Sequence, residues 1–379
     1  MIIGIDGNEA NVEKRVGIGE YAFELLEQFE KFRIQNLEFR IYLKNESIND
    51  MPKERKGWQY RVIGPRKLWT QFGLPLDLFF HKPRPDVFFT PTHYAPRFSP
   101  VPTVISIMDL SYVHFPKLFK KSDLYQLKNW TAYSAKNAKK ILTISKFSKD
   151  DIIKTYQIPG DRVVVTYPGI KEELGIMNQV YPEQSRRESS ELQSKYGIKG
   201  KYILFVGTLQ PRKNIIRLIE AFSKISLILN PLSLIIIGKK GWMYEEILEA
   251  PKKFNIVNRV KFLEFVSNED LPFLYQNAEC FVLPSLYEGF GLPVLEAMRY
   301  GCPCVISNIS SLPEAGGDAA FYFDPSNASD IAAKIEMVLN DEKLRKEMIE
   351  KGYKQVKKFS WEKTAQETLK VLEEVARNG

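Results

Sequence analysis

The sequence predicts an α/β protein made of two parallel-sheet domains, and three observations carry that prediction. Short apolar runs of strand length, such as MIIGID, PDVFFT, YILFVGT and LSLIIIG, alternate with stretches whose apolar residues recur at helical spacing. This alternation occurs twice, on either side of a polar, charged stretch over 171–200 that reads as a linker. At 379 residues the chain exceeds one ordinary core and suits two domains of similar size.

Taken in order, MIIGID is a buried first strand and GEYAFELLEQFEKF an amphipathic helix. The loop NEANVEKRVGIG between them sets Gly17 and Gly19 just before the helix, where bare backbone can approach a phosphate or a sugar. GIGEYA also has the G-x-G-x-x-A form of a dinucleotide fingerprint. Two features argue against nicotinamide: the strand ends well before the turn, and FRIYL is followed by Lys44 and Asn45 where a ribose-binding acid is wanted. PDVFFT, VPTVISIMDL, a helix from about Lys121 to Lys139, KKILTIS and RVVVTYPG complete the first alternation. Ligands collect at the carboxyl ends of such strands, which singles out Thr92, His93, Asp109 and Ser145. The plainer alternatives are a solvated turn acid at Asp109 and a structural hydrogen bond at His93.

The second alternation runs YILFVGT, helix IIRLIEAFSKI, LSLIIIG, helix MYEEILEAPKKF, VKFLEFV, helix NEDLPFLYQNA, CFVLPS, then CPCVIS and AAFYFD. A last helical stretch, SWEKTAQETLKVLEEVARNG, closes the chain. The boundaries that follow are 1–175, a linker over 176–200, 201–358, and a final helix over 359–379.

Composition narrows the function. No apolar run is long enough to span a membrane and MIIGIDGNEA lacks a signal-peptide start, so the cytoplasm is expected. Cys280, Cys302 and Cys304 read as buried thiols, and His81, His93 and His114 lack metal-ligand spacing. The first 170 residues hold 26 Lys+Arg against 18 Asp+Glu, whereas the remainder balances at 28 of each. No nucleic-acid module is present. In KERKGWQYRVIGPRKLWTQFG the cations are interleaved with Trp58 and Trp69, which suggests a peripheral membrane or acceptor-phosphate surface. An ordinary solvated face is the alternative.

The chemistry concentrates in PSLYEGFGLPVLEAM, Pro284 to Met298, which reads as strand end, glycine-rich turn and helix start. Backbone N–H groups of Phe290, Gly291 and Leu292, after Gly289, would face an anion at that helix N-terminus. Glu288 on the loop and Glu296 on the first helical turn would frame it and accept from hydroxyls. The alternative is a solvated Glu288 and a Glu296 that only satisfies the helix end. In GTLQPRKN, Arg212 and Lys213 stand at the same sheet edge; two cations and a helix N-terminus describe a diphosphate site, against the alternative of surface cations at a turn.

These strings, with FVSNEDLPFLYQNAECFVLPSLYEGFGLPVLEAM, SNISSLPEAGGDAAFYFDP and FSWEKTA, resemble the retaining glycosyltransferases of family 4, mannosyltransferase-like enzymes with an E-x7-E motif. GIGEYA, VPTVISIMDLSYVHFP, LTISKFSKDDI and TYPGI extend the likeness into the first half. The resemblance implies a GT-B fold: two Rossmann-like domains facing across a cleft, acceptor-binding first and nucleotide-sugar-binding second, with the final helix crossing back near Trp361. It implies that Glu288 holds donor-sugar hydroxyls, Glu296 the ribose diol, and Arg212 and Lys213 the leaving diphosphate. Thr208, Gly289, Phe290, Gly291 and Leu292 complete the donor set, and the Gly17 to Gly19 loop approaches from the other domain. Asp109 would sit by the donor sugar and acceptor hydroxyl, with His93 on the acceptor side. Met108 stands where the family commonly has a His, and Glu264 where a Gly is usual.

The implied activity is transfer of a hexose such as mannose from a GDP- or UDP-linked donor to a saccharide or lipid-linked acceptor, with no metal or other cofactor required. The protein would be cytoplasmic, with peripheral contact to the inner membrane face through its basic half. A nucleotide-sugar-binding protein without turnover and a GT-B nucleotide-sugar epimerase are the alternative readings.

Overall fold

The short apolar runs become strands of two all-parallel sheets, because each is apolar on both faces and needs helices on either side to be covered. The computed structural model describes residues 1–170, 194–225 and 232–378. They divide into two units: Met1–Gly169 with Phe359–Gly379, and Ile170–Lys358. Most of the expected linker, 176–193, lies outside the described residues. Its end, 194–200, is tied to the second unit: Lys195 Nζ and Tyr196 Oη both reach the Asp270 carboxylate, at 2.7 and 2.6 Å.

In the first unit the chain runs β1 (Ile2–Asp6), α1 (Ile18–Lys31), β2 (Glu38–Leu43), β3 (Trp58–Val62), α2 (Leu74–Phe80), β4 (Val87–Thr90), β5 (Thr103–Ser106), α3 (Ser111–His114), α4 (Lys121–Asn137), β6 (Lys140–Thr143), α5 (Lys146–Tyr156) and β7 (Val163–Val165). Sheet order is β3-β2-β1-β4-β5-β6-β7. Ile3, Ile5, Leu25, Phe29, Phe39 and Trp58 build one core layer. The final helix, Trp361–Asn378, joins the same layer: the Trp361 ring meets Tyr21 edge-on at 5.8 Å, and Thr364 Oγ1 donates to Tyr167 O at 2.6 Å. Gly169 makes that approach possible, since a Cβ there would lie 2.0 Å from the Trp361 nitrogen.

One expectation is overturned here. Trp58 and Trp69 do not face solvent, and so cannot be membrane-facing rings: both are buried. Trp58 sits on β3 against Phe39, 5.4 Å between rings, and Trp69 Nε1 donates to Ile63 O at 3.0 Å. The tract runs as a strand and then a helical turn, which turns both tryptophans inward and leaves Phe72 exposed.

The second unit runs β8 (Lys201–Val206), α6 (Ile215–Lys224), β9 (Leu232–Ile237), α7 (Glu245–Lys253), β10 (Val260–Leu263), α8 (Leu271–Gln276), β11 (Cys280–Leu283), α9 (Leu292–Arg299), β12 (Cys304–Ser307), α10 (Leu312–Gly316), β13 (Ala320–Phe323), α11 (Ala328–Asn340) and α12 (Glu342–Val356), before the final helix, α13. Sheet order is β10-β9-β8-β11-β12-β13. Cys280, Cys302 and Cys304 are buried free thiols, pushed far up from the usual thiol range by that burial. Both sheets are Rossmann-like, and in each the strand order reverses beside the first strand, between β1 and β4 and between β8 and β11. Loops diverge at such a switch point and leave a crevice at the carboxyl edge.

Candidate active site

In the second unit the loops after β8 and β11 are the two that flank the switch point, and they carry Arg212, Lys213 and Glu288. After β8 a single helical turn, Pro211–Lys213, ends at Asn214, held left-handed at φ 57°. Asn214 Nδ2 donates to Pro284 O at 3.1 Å and to Pro325 O at 2.8 Å, locking the turn onto the neighbouring loops. The Leu286 N–H closes the contact by donating to Arg212 O at 2.8 Å. The two loops therefore form one rigid edge.

Glu288 is the hub of that edge. Its side chain accepts from Lys213 Nζ at 2.5 Å, Ser285 Oγ at 2.6 Å and Arg212 Nη1 at 3.2 Å, while Arg212 Nη1 also donates to Tyr287 O at 2.7 Å. Ser310 and Ser311 hydroxyls hold its backbone on both sides, at 3.1 and 2.8 Å. Glu288 is 6% exposed and Lys213 8%, so neither a solvated Glu288 nor surface cations at a turn describes this site. Burial pushes the Glu288 carboxyl up, but the Lys213 and Arg212 charges, with hydrogen bonds from Lys213 and Ser285, outweigh it and hold the pKa at about 2. Two cations against one carboxylate leave a net positive edge.

The turn that follows delivers Leu292 as the first residue of α9, with Pro293 in its first turn. Gly291 caps the helix at φ 104°. Phe290, Gly291 and Leu292 thus lie at an N-terminus whose first N–H groups have no acceptor within the helix. Gly291→Val is expected to destabilise the protein by roughly 1–3 kcal/mol, through the disallowed φ and a Cβ 2.6 Å from Leu312 Cδ2. Thermal unfolding checks it, and a wild-type Tm would show that the turn rearranges freely. Glu296 corrects an expectation: it lies on the second turn of α9, not the first, and accepts from the buried Tyr275 hydroxyl at 3.1 Å. Thr208 and Gly289 fall on the same two loops. Glu264 pairs with Lys240 beyond β10 and β9.

In the first unit, Thr92 and His93 follow β4 at its switch point, and Asp109 follows β5. Asp109 Oδ1 accepts from Ser111 N at 2.8 Å, which opens α3. Burial lowers the His93 pKa to about 4 against the opposing Asp109 charge, so the imidazole is neutral at pH 7. Ser145 serves α5 as its N-cap, accepting from Ser148 N at 3.0 Å. Gly17 caps α1 at φ 53° with open space where a Cβ would be, whereas a Cβ on Gly19 would meet Glu9 O at 2.9 Å. Sequence reasoning passed over Asp6, a buried carboxyl at the end of β1 pushed up to about 6 by burial, and the supports of Glu288: Ser285, Ser310, Ser311 and Asn214. The two adjacent serines in SNISS were the only visible signal. Among the described residues, no group of three or more His, Cys, Asp or Glu is placed to hold a metal ion.

Comparison with known proteins places residues 17–174 in the family described as Glycosyltransferase Family 4 and residues 188–355 in that described as Glycosyl transferases group 1. The O-antigen chain mannosyltransferase B of Escherichia coli is 34% identical over 312 residues, 82% of this chain and 78% of that protein. The serotype-specific mannosyltransferase WbdA of Escherichia coli is 34% identical over 228 residues, of which this chain spans 27% of the relative's length. Among solved structures, Anabaena HepE in complex with UDP and glucose aligns over 98% of this chain and 99% of its own, with a TM-score of 0.74 at 18% identity. A glycosyltransferase from Rickettsia africae aligns over 100% and 99%, with a TM-score of 0.70 at 16% identity.

Proposed function

The chain belongs to the family 4 glycosyltransferases of GT-B fold, and on that premise we propose that it moves mannose from a nucleotide-diphosphate donor to a saccharide acceptor, with retention at the anomeric carbon. The observation that carries the reading is the Arg212–Lys213–Glu288 cluster, with Lys213 and Glu288 buried, at the β8/β11 switch point beside the N-terminus of α9. The mannosyltransferase names of the Escherichia coli relatives support the choice of sugar, and the O-antigen name of the first supports a growing polysaccharide as acceptor.

The chemistry follows from charge. When the bond between the anomeric carbon and the phosphate oxygen breaks, positive charge grows on the sugar and negative charge on the nucleotide diphosphate. Lys213, Arg212 and the first N–H groups of α9 are assigned to that second charge. A carboxylate with a pKa of about 2 cannot donate a proton, so Glu288 accepts from donor-sugar hydroxyls instead. The acceptor hydroxyl attacks on the face the diphosphate leaves; its oxygen forms the new bond to the anomeric carbon, and its proton passes to the departing phosphate oxygen. Glu296 is assigned to the ribose diol. Charge neutralisation rests on side chains, with no metal ion required.

The test is incubation with GDP- and UDP-linked sugars and mannose-terminated oligosaccharides, following nucleotide diphosphate release and the anomeric configuration of the product. Acceptor-dependent release from GDP-mannose, an α-linked product and no loss on adding EDTA are expected. Binding without release under every acceptor, or recovery of an intact epimerised nucleotide sugar, would overturn the proposal.

A further inference from the structure

Glu296 is held by a tyrosine that carries no signal of its own in the sequence. Tyr275 lies at the end of the short helix α8, 21 residues ahead of Glu296 in the chain, and is fully buried. Its ring stacks on Tyr300, 6.0 Å between centroids at 16°, and meets Phe281 of β11 edge-on at 5.7 Å. Tyr300 follows Glu296 by one helical turn, and its N–H donates to the Glu296 carbonyl at 3.2 Å, so the two side chains share a face at the end of α9. The stack therefore sets the Tyr275 ring, and the ring delivers its hydroxyl to Glu296 Oε2 at 3.1 Å. Helix α8 is itself fixed from behind: buried Tyr202 of β8 donates its hydroxyl to Leu274 O at 2.8 Å.

The two tyrosines differ in what they choose as acceptor. A buried phenol needs one partner, and a backbone carbonyl suffices, as it does for Tyr202. Tyr275 takes instead the carboxylate of a half-buried residue on the helix whose N-terminus borders Lys213 and Glu288. Burial and the neighbouring Glu296 charge push the Tyr275 hydroxyl far above its usual range, so it is a permanent donor. A glutamate on a helix surface has no fixed orientation of its own, and ordering it on binding costs entropy. A carboxylate oxygen has more than one acceptor site, so accepting from Tyr275 orients Oε2 without exhausting it.

We propose that Tyr275 is a positioning residue of the ribose subsite: its hydroxyl fixes the Glu296 carboxylate in the orientation that receives the 2′- and 3′-hydroxyls of the donor nucleotide. The inference rests on the assignment of Glu296 to the ribose diol, and it concerns binding, not bond breaking. The ribose contact is the same before and during transfer, so losing its orientation raises the donor KM and leaves kcat in place.

The experiment is equilibrium binding of GDP and UDP, each beside its 2′,3′-dideoxy form, to the full chain and its variants. The wild type is expected to prefer the ribose form of its nucleotide by at least about tenfold, the scale of hydrogen bonds to a charged group. Tyr275→Phe keeps the ring and its stack; it should weaken binding of the ribose form about fivefold and leave the dideoxy form within about twofold. Donor KM should rise by the same factor, with kcat within about twofold of wild type. A tyrosine that served only the core would weaken both forms alike. Tyr300→Leu, which removes the stacked ring and leaves Tyr275 and Glu296 in place, repeats the test should Tyr275→Phe fail to fold, and should also shrink the preference. An undiminished preference in the folded variant, or an equal loss for both forms, would overturn the inference and leave the ribose assignment standing. No binding of either nucleotide, no preference in the wild type, or a preference that Glu296→Ala retains would overturn the ribose assignment itself and this inference with it.

Discussion

Lys213→Ala is expected to lower kcat by about 100-fold or more, the cost of removing one preorganised donor aimed at transition-state charge. The size follows from burial. Lys213 is 8% exposed, so its ammonium acts where water screens it little, and its partner Glu288 fixes it at 2.5 Å before any substrate arrives. Arg212 already serves the same charge from its own position, with Nη1 held by the Tyr287 carbonyl at 2.7 Å and by Glu288, and so does not replace Lys213 Nζ. KM for the donor should change less than kcat, since diphosphate charge is greatest as the bond breaks. Steady-state kinetics with GDP-mannose checks this, with thermal unfolding run beside it to show that the variant is folded. A kcat near wild type would remove Lys213 from the leaving-group site.

How far this site could be read beforehand depends on whether its residues sit in sequence-local patterns. The strand, turn and helix around Pro284–Met298 were legible because apolar run, glycines, Pro293 and Gly301 each have a local meaning. The convergence of GTLQPRKN with that motif was legible too, since parallel strands put every βα loop at one edge. That Glu288 takes both cations was not, because it depends on β8 and β11 being neighbours, with Lys213 and Glu288 75 residues apart in the sequence. Helices α10 to α12 were passed over: α10 is five residues long, and α12, EKLRKEMIEKGYKQV, is so charged that its buried face reduces to Met348, Gly352, Gln355 and Val356. Trp58 and Trp69 misled for the opposite reason. Aromatic-basic interleaving looks the same whether the rings turn inward or outward, and only the core beneath β3 and α2 decides.

Glu288→Ala is expected to destabilise the folded protein by roughly 3–5 kcal/mol, because it strands a buried ammonium and part of a guanidinium without their carboxylate. Glu288→Gln keeps the shape and removes the charge, so it isolates the electrostatic part. The sign in pH follows from the depressed pKa. Carboxyl protonation in the unfolded chain centres near 4.5, the ordinary glutamate value, while the folded group stays ionised down to about 2. The contribution of Glu288 is therefore fully present above about pH 4.5 and is lost as pH falls toward 2. Unfolding curves of wild type and Glu288→Gln should be furthest apart at neutral pH and converge through that window. Curves that stay parallel would mean that Glu288 is not held ionised by its neighbours. The double variant Lys213→Met/Glu288→Gln should cost less than the sum of its single changes, since removing both charges leaves neither stranded. Additive losses would instead place the stabilisation in Ser310 and Ser311, which hold the Glu288 backbone through uncharged hydrogen bonds.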